Sequence, residues 1–164
     1  MAKMFATTKG ENKFMDEIKI EKMTFDDLDD VYEIDKDSFP VPWSKSSFEE
    51  ELKNILATYF VAKIDGKVIG YLGSWMVIDE CHITNIAVHS KYRRNGIASK
   101  LVQELLRYCN EHGISYILLE VRINNFAAQK LYETFGFQTD GIRKGYYKNP
   151  DGTYDDAILM VKEI

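Results

Sequence analysis

The sequence predicts a single mixed α/β domain whose sheet is mostly antiparallel, with a central parallel pair of strands and about four flanking helices. Three observations lead there. Apolar patterns with strand and helix periods follow one another in the order β α α β β β α β α β β. Tight turns at Asp65-Gly66 and at Pro150-Asp151-Gly152 join strand-like runs into hairpins. Between those hairpins a long amphipathic helix leads into the nearly continuous apolar run YILLEV, the pattern of a strand covered on both faces and reached by a parallel crossover.

Residues 1–16 are polar, lack periodicity and contain a second possible start at Met15, so they are expected to be a disordered extension, with the folded domain over 17–164. IKIEKM (18–23) alternates like a half-buried strand. Thr24 with Asp27 three residues later is a capping signal for a helix running to about Phe39. FPVPWS (39–44) stops that helix, because two prolines favour an extended loop; Ser46 and Glu49 then have capping-box spacing for a second helix through Leu52. ATYFVAKI and KVIGYLGSWMVI form the first hairpin, and ECHITNIAVH is a fourth strand. From Gly96 to His112 apolar residues recur at 97, 101, 105 and 108 and at 98, 102, 105 and 109, a wide stripe ended by Gly113. Asn124 or Asn125 can cap FAAQKLYETF, which Gly136 closes, and FQTDGIRKGYYKN pairs with DDAILMVKEI.

Composition narrows the function classes. With 164 residues, 45% of them hydrophobic, the chain can bury a substantial core. A net charge of −5 argues against a protein whose main task is holding nucleic acid. No run approaches the roughly 20 apolar residues of a membrane span, and the first residues lack the apolar core of a secretory signal, so a cytoplasmic location is expected. Cys81 and Cys109 form no CxxC pair and read as reduced, buried thiols; His82, His89 and His112 have no metal-ligand spacing and read as structural or surface residues.

In NIAVHSKYRRNGIASKL a strand ends near His89 and Gly96 opens the long helix. A helix N-terminus exposes unpaired N–H groups and partial positive charge, and glycine lets an anion approach the backbone. Arg93 and Arg94 add charge, and Ala98 keeps the first turn open. The competing reading is a plain loop with solvated arginines. Neither GxGxxG nor GxxxxGK[ST] is present, so a phosphate ligand other than a nucleoside triphosphate is indicated.

The turn R-x-x-G-x-A at Arg93, Gly96 and Ala98, preceded by NIAV (85–88) and followed by LLEVRINNFAAQKLYETFGF (118–137), resembles the GNAT superfamily of N-acetyltransferases. With FPxPWS upstream and GIRKGYY and DDAILM downstream, the chain is similar over about Ile18–Ile164 to the bacterial ribosomal-protein-alanine type. The family turn often ends in glycine, and Ala98 is a common variant. The resemblance implies a GNAT fold splayed around acetyl-CoA as cosubstrate, no metal, and a protein N-terminus, that of a small-subunit ribosomal protein, as acceptor. It implies that the backbone of Ile86, Ala87 and Val88 meets the pantetheine arm and thioester, with Val88 N–H as oxyanion donor. Arg93, Arg94, Asn95, Gly96, Ile97 and Ala98 would hold the diphosphate, and Asn125 is the family's cofactor-contacting asparagine.

Acetyl transfer from a thioester needs a neutral amine, a stabilised oxyanion and a proton for the departing thiolate. Glu120 is the one charged residue within an apolar strand run, where a carboxylate is costly unless it faces a cleft or a partner. It reads as a general base, or else as half of an ion pair with Arg122 or another cation. Tyr132 shares a helix face with Ala128 and Phe135 and reads alone as a core tyrosine; the resemblance makes it the acid that protonates the thiolate. Deprotonating an α-amine at pH 7 costs about 1 kcal/mol against about 4.6 for lysine, which favours an α-amine acceptor. Phe39 and Trp43 are apolar walls for an acceptor groove or staples between helices and sheet. Glu33, Asp35 and Asp37 read as a solvated acidic face, with attraction of a cationic peptide as the alternative. Arg143, Tyr146 and Tyr147 lie in the block that the family places near the acceptor. Two rival functions remain: an acetyltransferase for lysine or a small amine, and a non-catalytic acyl-CoA sensor.

Overall fold

A computed structural model describes residues 13–15 and 17–164. Its elements are β1 (Lys19–Lys22), α1 (Leu28–Ser38), α2 (Lys45–Lys53), β2 (Ala57–Ile64), β3 (Lys67–Val77), β4 (Glu80–Val88), α3 (Ile97–Glu111), β5 (Tyr116–Arg122), α4 (Phe126–Thr134), β6 (Gln138–Lys148) and β7 (Tyr154–Glu163). The seven strands form one sheet in the order β1-β2-β3-β4-β5-β7-β6, and only β4 and β5 run parallel. The expected element order and mixed sheet are therefore observed. The expectation of a disordered 1–16 falls mostly on residues outside those described; residues 13–15 are helical.

Local chemistry explains the boundaries. The β2–β3 turn has positive φ at both Asp65 (49°) and Gly66 (77°), the primed geometry that matches the twist of a hairpin. A short 3-10 turn, Phe25–Asp27, precedes α1, and the Asp27 carboxylate accepts the Thr24 N–H at 2.9 Å. The cap of α2 lies two residues earlier than expected: Ser44 is extended and its hydroxyl accepts the Ser47 N–H at 3.2 Å. Ser46 already lies inside the first turn, where its hydroxyl bonds that of Ser44. Of the two asparagines before α4, Asn125 is the cap, accepting from Ala128 N–H at 3.2 Å.

The sheet is covered on both faces. On one, Ile97, Leu101, Val102, Leu105 and Cys109 of α3 pack on Ile69, Leu72, Ile117, Leu119 and Met160, and Tyr132 and Phe137 join them. On the other, Val31 and Ile34 of α1 and Phe48 of α2 pack on Tyr59, Val61, Val68 and Tyr71. A bulge between Ala62 and Lys63 of β2, facing Ile69, breaks the alternation and lets Ile69 and Leu72 point to the same side.

Candidate active site

The site begins where two parallel strands stop pairing. β4 and β5 are in register only from Glu80 and Tyr116 to Ile83 and Leu119. Beyond that point β4 is bulged against β3 at Thr84, since Gly73 faces Asn85 whereas Ser74 faces Ile83. The strands part, and a cavity of about 550 Å³ opens between them. Its floor is Thr84, Asn85 and Ile86 on one side and Glu120 and Val121 on the other. Phe39 and Trp43 of the loop after α1 form one wall, with Asn125 and Tyr132 of α4 and Tyr146 and Tyr147 of β6 opposite. Phe39, Trp43, Ile86, Glu120, Asn125, Tyr132 and Tyr146 thus all line this one cavity. The Ala87 side chain instead packs into the core with α1 and α2, which leaves its backbone as the part able to meet a ligand.

The turn before α3 lies past the end of β4. Gly96 is its N-cap at φ 73°, a left-handed conformation that favours glycine, and Arg94 is left-handed at φ 63°. Lys100 is the first helical residue whose N–H finds a carbonyl, that of Gly96 at 3.1 Å. Among the described residues the amides of Ile97, Ala98 and Ser99 find no backbone acceptor, so the helix end presents three N–H groups and its partial positive charge. The arginines divide their work. Arg93 Nε donates to Val88 O at 3.0 Å and its Nη2 to Ser38 Oγ at 3.3 Å, tying the turn to β4 and α1, while Arg94 is exposed. Asn95 Nδ2 donates to the carbonyls of Tyr92 and Arg93, bracing the loop. The Ile97 side chain is buried beneath it.

Glu120 has its side chain only 7% exposed, with both oxygens engaged: Oε2 lies 2.5 Å from His82 Nε2 and Oε1 lies 3.3 Å from Arg143 Nε. Burial pushes its pKa up, but the bond to His82 and the charges of His82 and Arg143 outweigh burial and hold it below the ordinary value. Arg122, the cation considered from the sequence, pairs elsewhere: it donates to Asp155 at 2.8 Å and Asn149 at 3.0 Å and stacks on Tyr147. Tyr147 donates to Glu120 O at 3.0 Å, closing β6 over β5. Tyr132 is 4% exposed and packs edge-on against Phe137 at 5.7 Å. Among the described residues no sealed polar side-chain atom lacks a partner, and the Tyr132 hydroxyl, which has none, therefore opens on the cavity. Burial, with a smaller contribution from Tyr147, raises its pKa and keeps it a neutral proton donor.

His82, read from the sequence as structural or on the surface, is partly exposed and lies against the Glu120 carboxylate. The signal for it was a lone imidazole between Cys81 and Ile83, both buried, on a strand next to that of Glu120. Asp35 does not belong to a solvated acidic face: it is 1% exposed, accepts the Trp43 N–H at 2.7 Å, and accepts the Tyr71 hydroxyl. Trp43 both lines the cavity and packs on Phe48 at 5.5 Å.

With this geometry described, similarity to known proteins is informative. Residues 28–137 match the model of the acetyltransferase (GNAT) family. A Bacillus subtilis protein provisionally named a [ribosomal protein bS18]-alanine N-acetyltransferase is 42% identical over 142 residues, 86% of this chain and 92% of its own length. An N-alpha-acetyltransferase of Saccharolobus solfataricus is 33% identical over 152 residues, covering 85% of this chain and 89% of its own. The crystal structure of the ribosomal-protein-S18-alanine N-acetyltransferase from Escherichia coli superposes with a TM-score of 0.83 at 33% identity, over 90% of this chain and 94% of that one. Splayed parallel strands, a helix end whose first amides find no backbone acceptor among the described residues, and a family match across most of the chain converge: the protein is an N-acetyltransferase of the GNAT family.

Proposed function

We propose that the enzyme moves the acetyl group of acetyl-CoA onto the N-terminal α-amine of a protein, the acceptor being the N-terminal alanine of a small-subunit ribosomal protein, with residues 17–164 as the catalytic domain. One observation carries the reading: the cavity at the parting of β4 and β5 has a buried carboxylate and a cavity-facing tyrosine hydroxyl on its lining, and, among the described residues, amides without a backbone acceptor at the nearby start of α3. The names of the relatives support the acceptor.

In this scheme the amides of Ile97, Ala98 and Ser99, with Arg94, hold the diphosphate, and Arg93 shapes the turn from behind. The backbone of Ile86–Val88 aligns the pantetheine arm, and Asn125 at the head of α4 lies beside it. The amine nitrogen attacks the thioester carbonyl carbon, and the C–S bond breaks. The amine proton passes to Glu120, directly or through a water, while His82 and Arg143 orient the carboxylate. Tyr132 donates its proton to the departing thiolate. A carboxylate held below its ordinary pKa is a weak base, so an acceptor that is cheap to deprotonate at neutral pH is favoured, as an α-amine is and a lysine is not. Phe39, Trp43 and Tyr146 wall the acceptor, and Arg143 borders it through Glu120. A cytoplasmic location is the corollary of a ribosomal acceptor.

Thiol release from acetyl-CoA measured with three acceptors tests the proposal: a peptide beginning Ala-Arg, the same peptide blocked at its N-terminus, and a lysine-containing blocked peptide. Turnover with the first alone is expected. Equal turnover with free and blocked peptides would overturn α-amine selectivity and favour lysine.

A further inference from the structure

Asp35 is a buried carboxylate that the catalytic scheme leaves unused. It sits in the last turn of α1, where helix gives way to the loop Phe39-Pro40-Val41-Pro42-Trp43. Prolines 40 and 42 have no N–H, which leaves the loop three backbone donors, and Asp35 takes the two at its ends. Its backbone carbonyl accepts the Phe39 N–H at 3.1 Å, and its carboxylate accepts the Trp43 N–H at 2.7 Å. One residue therefore grips both ends of the loop that walls the cavity.

The other carboxylate oxygen faces the sheet. It accepts the hydroxyl of Tyr71 on β3, and that hydroxyl in turn accepts from Asn85 Nδ2 at 3.1 Å. Asn85 lies beside the β4 bulge and immediately before the backbone of Ile86–Val88. Its own oxygen is fixed by Thr84 Oγ1 at 2.9 Å and by Tyr59 Oη at 3.3 Å. The arrangement depends on Gly73: a Cβ there would lie 2.3 Å from the Tyr59 ring and 2.6 Å from Asn85 Oδ1. An apolar contact such as Trp43 on Phe48 resists separation but sets no direction, whereas a chain of hydrogen bonds to a buried charge fixes one.

We infer that Asp35 is a positioning residue that holds the acceptor loop in register with the cofactor strand, gripping Trp43 with one oxygen and reaching Asn85 through Tyr71 with the other. The inference rests on the reading of Phe39 and Trp43 as the acceptor wall. Its consequence is separable from fold stability: loosening the link misplaces the peptide but leaves the diphosphate turn and the Glu120–Tyr132 pair where they are.

The test compares Asp35→Asn, Tyr71→Phe and the double variant with wild type, using the Ala-Arg peptide and alanine amide, an acceptor with nothing beyond the first residue. In each variant KM for the peptide should rise about tenfold, with kcat, KM for alanine amide and the calorimetric Kd for acetyl-CoA changed by no more than about twofold. Because both substitutions cut one chain, the double variant should be no worse than the worse single one. Additive losses, an equal rise in KM for both acceptors, or weakened acetyl-CoA binding would overturn the inference. If Asp35→Asn does not fold, Tyr71→Phe decides alone, since it keeps the carboxylate and its bond to Trp43; an unchanged peptide KM there overturns the coupling. Wild-type enzyme that acetylates only lysine removes α-amine selectivity, and the same comparison is then made with that peptide.

Discussion

At Glu120 three influences compete, and with Glu120 as the proposed base their balance predicts how the enzyme responds to pH. Burial favours the protonated acid, while His82 and Arg143 favour the carboxylate and prevail. The acidic limb of kcat/KM should therefore lie below the ordinary carboxylate value, and Arg143→Ala, which removes one cation, should move it to higher pH in a steady-state pH profile. The stability consequence has the same origin. A folded pKa below the unfolded one means that the contribution of Glu120 is present above its ordinary value of 4.5 and is lost as pH falls through the depressed folded value. Denaturant unfolding of Arg143→Ala across the acid range should show a smaller loss than wild type. Tyr132 predicts a different signature. Its hydroxyl opens on the cavity and lacks a protein partner among the described residues, so Tyr132→Phe should lower kcat by about 10²-fold while leaving the acetyl-CoA Kd within about twofold. Unchanged turnover would remove it from proton transfer.

Among the elements, α3 has two separable tasks. Its apolar stripe packs one face of the sheet, and its first turn presents amides that find no backbone acceptor among the described residues, the proposed grip on the diphosphate. Gly96 is the joint between them. An alanine at φ 73° pays the left-handed penalty of about 1–2 kcal/mol, and its Cβ would lie 3.3 Å from the Met15 methyl. Gly96→Ala is expected to lower stability by that amount in urea unfolding and to weaken acetyl-CoA binding, measured by calorimetry, more than it lowers kcat at saturation. Intact affinity would show that the amides do not hold the diphosphate. Phe14, which stacks on Tyr92 at 6.3 Å, and Met15 bring the chain ahead of β1 against this same turn.

For the whole molecule, the sheet has a core on each face and the cavity lies where its parallel seam opens. The core under α3 carries stability and sets the position of the site only indirectly. Leu101, fully buried there, is expected to cost about 2–5 kcal/mol as Leu101→Ala, seen in denaturant unfolding, with the kcat of the folded enzyme nearly unchanged. A loss of kcat without a loss of stability would mean that the helix transmits strain to the diphosphate turn.

What the sequence determined by itself was mostly of short range. Period-two and period-3.6 patterns, the Asp65-Gly66 turn and the glycines at 96, 113 and 136 are written in neighbouring residues, as is the proposal of an anion site at the start of α3, whereas the choice of Asn125 over Asn124 as a cap came from the structure. The Tyr132 role came from family resemblance, because its helix position alone matches a core tyrosine. Tertiary structure alone decided which charges meet. Strand order puts β4 and β7 on either side of β5 with β6 beyond, which brings His82 and Arg143 to Glu120 and sends Arg122 to Asp155. Asp35 lies on a helix whose charged residues all look alike in sequence, and only the packing of α1 on β3 buries it against Tyr71. Pairings across 36 and 38 positions leave no trace in local pattern, since their energy exists only once the chain has folded.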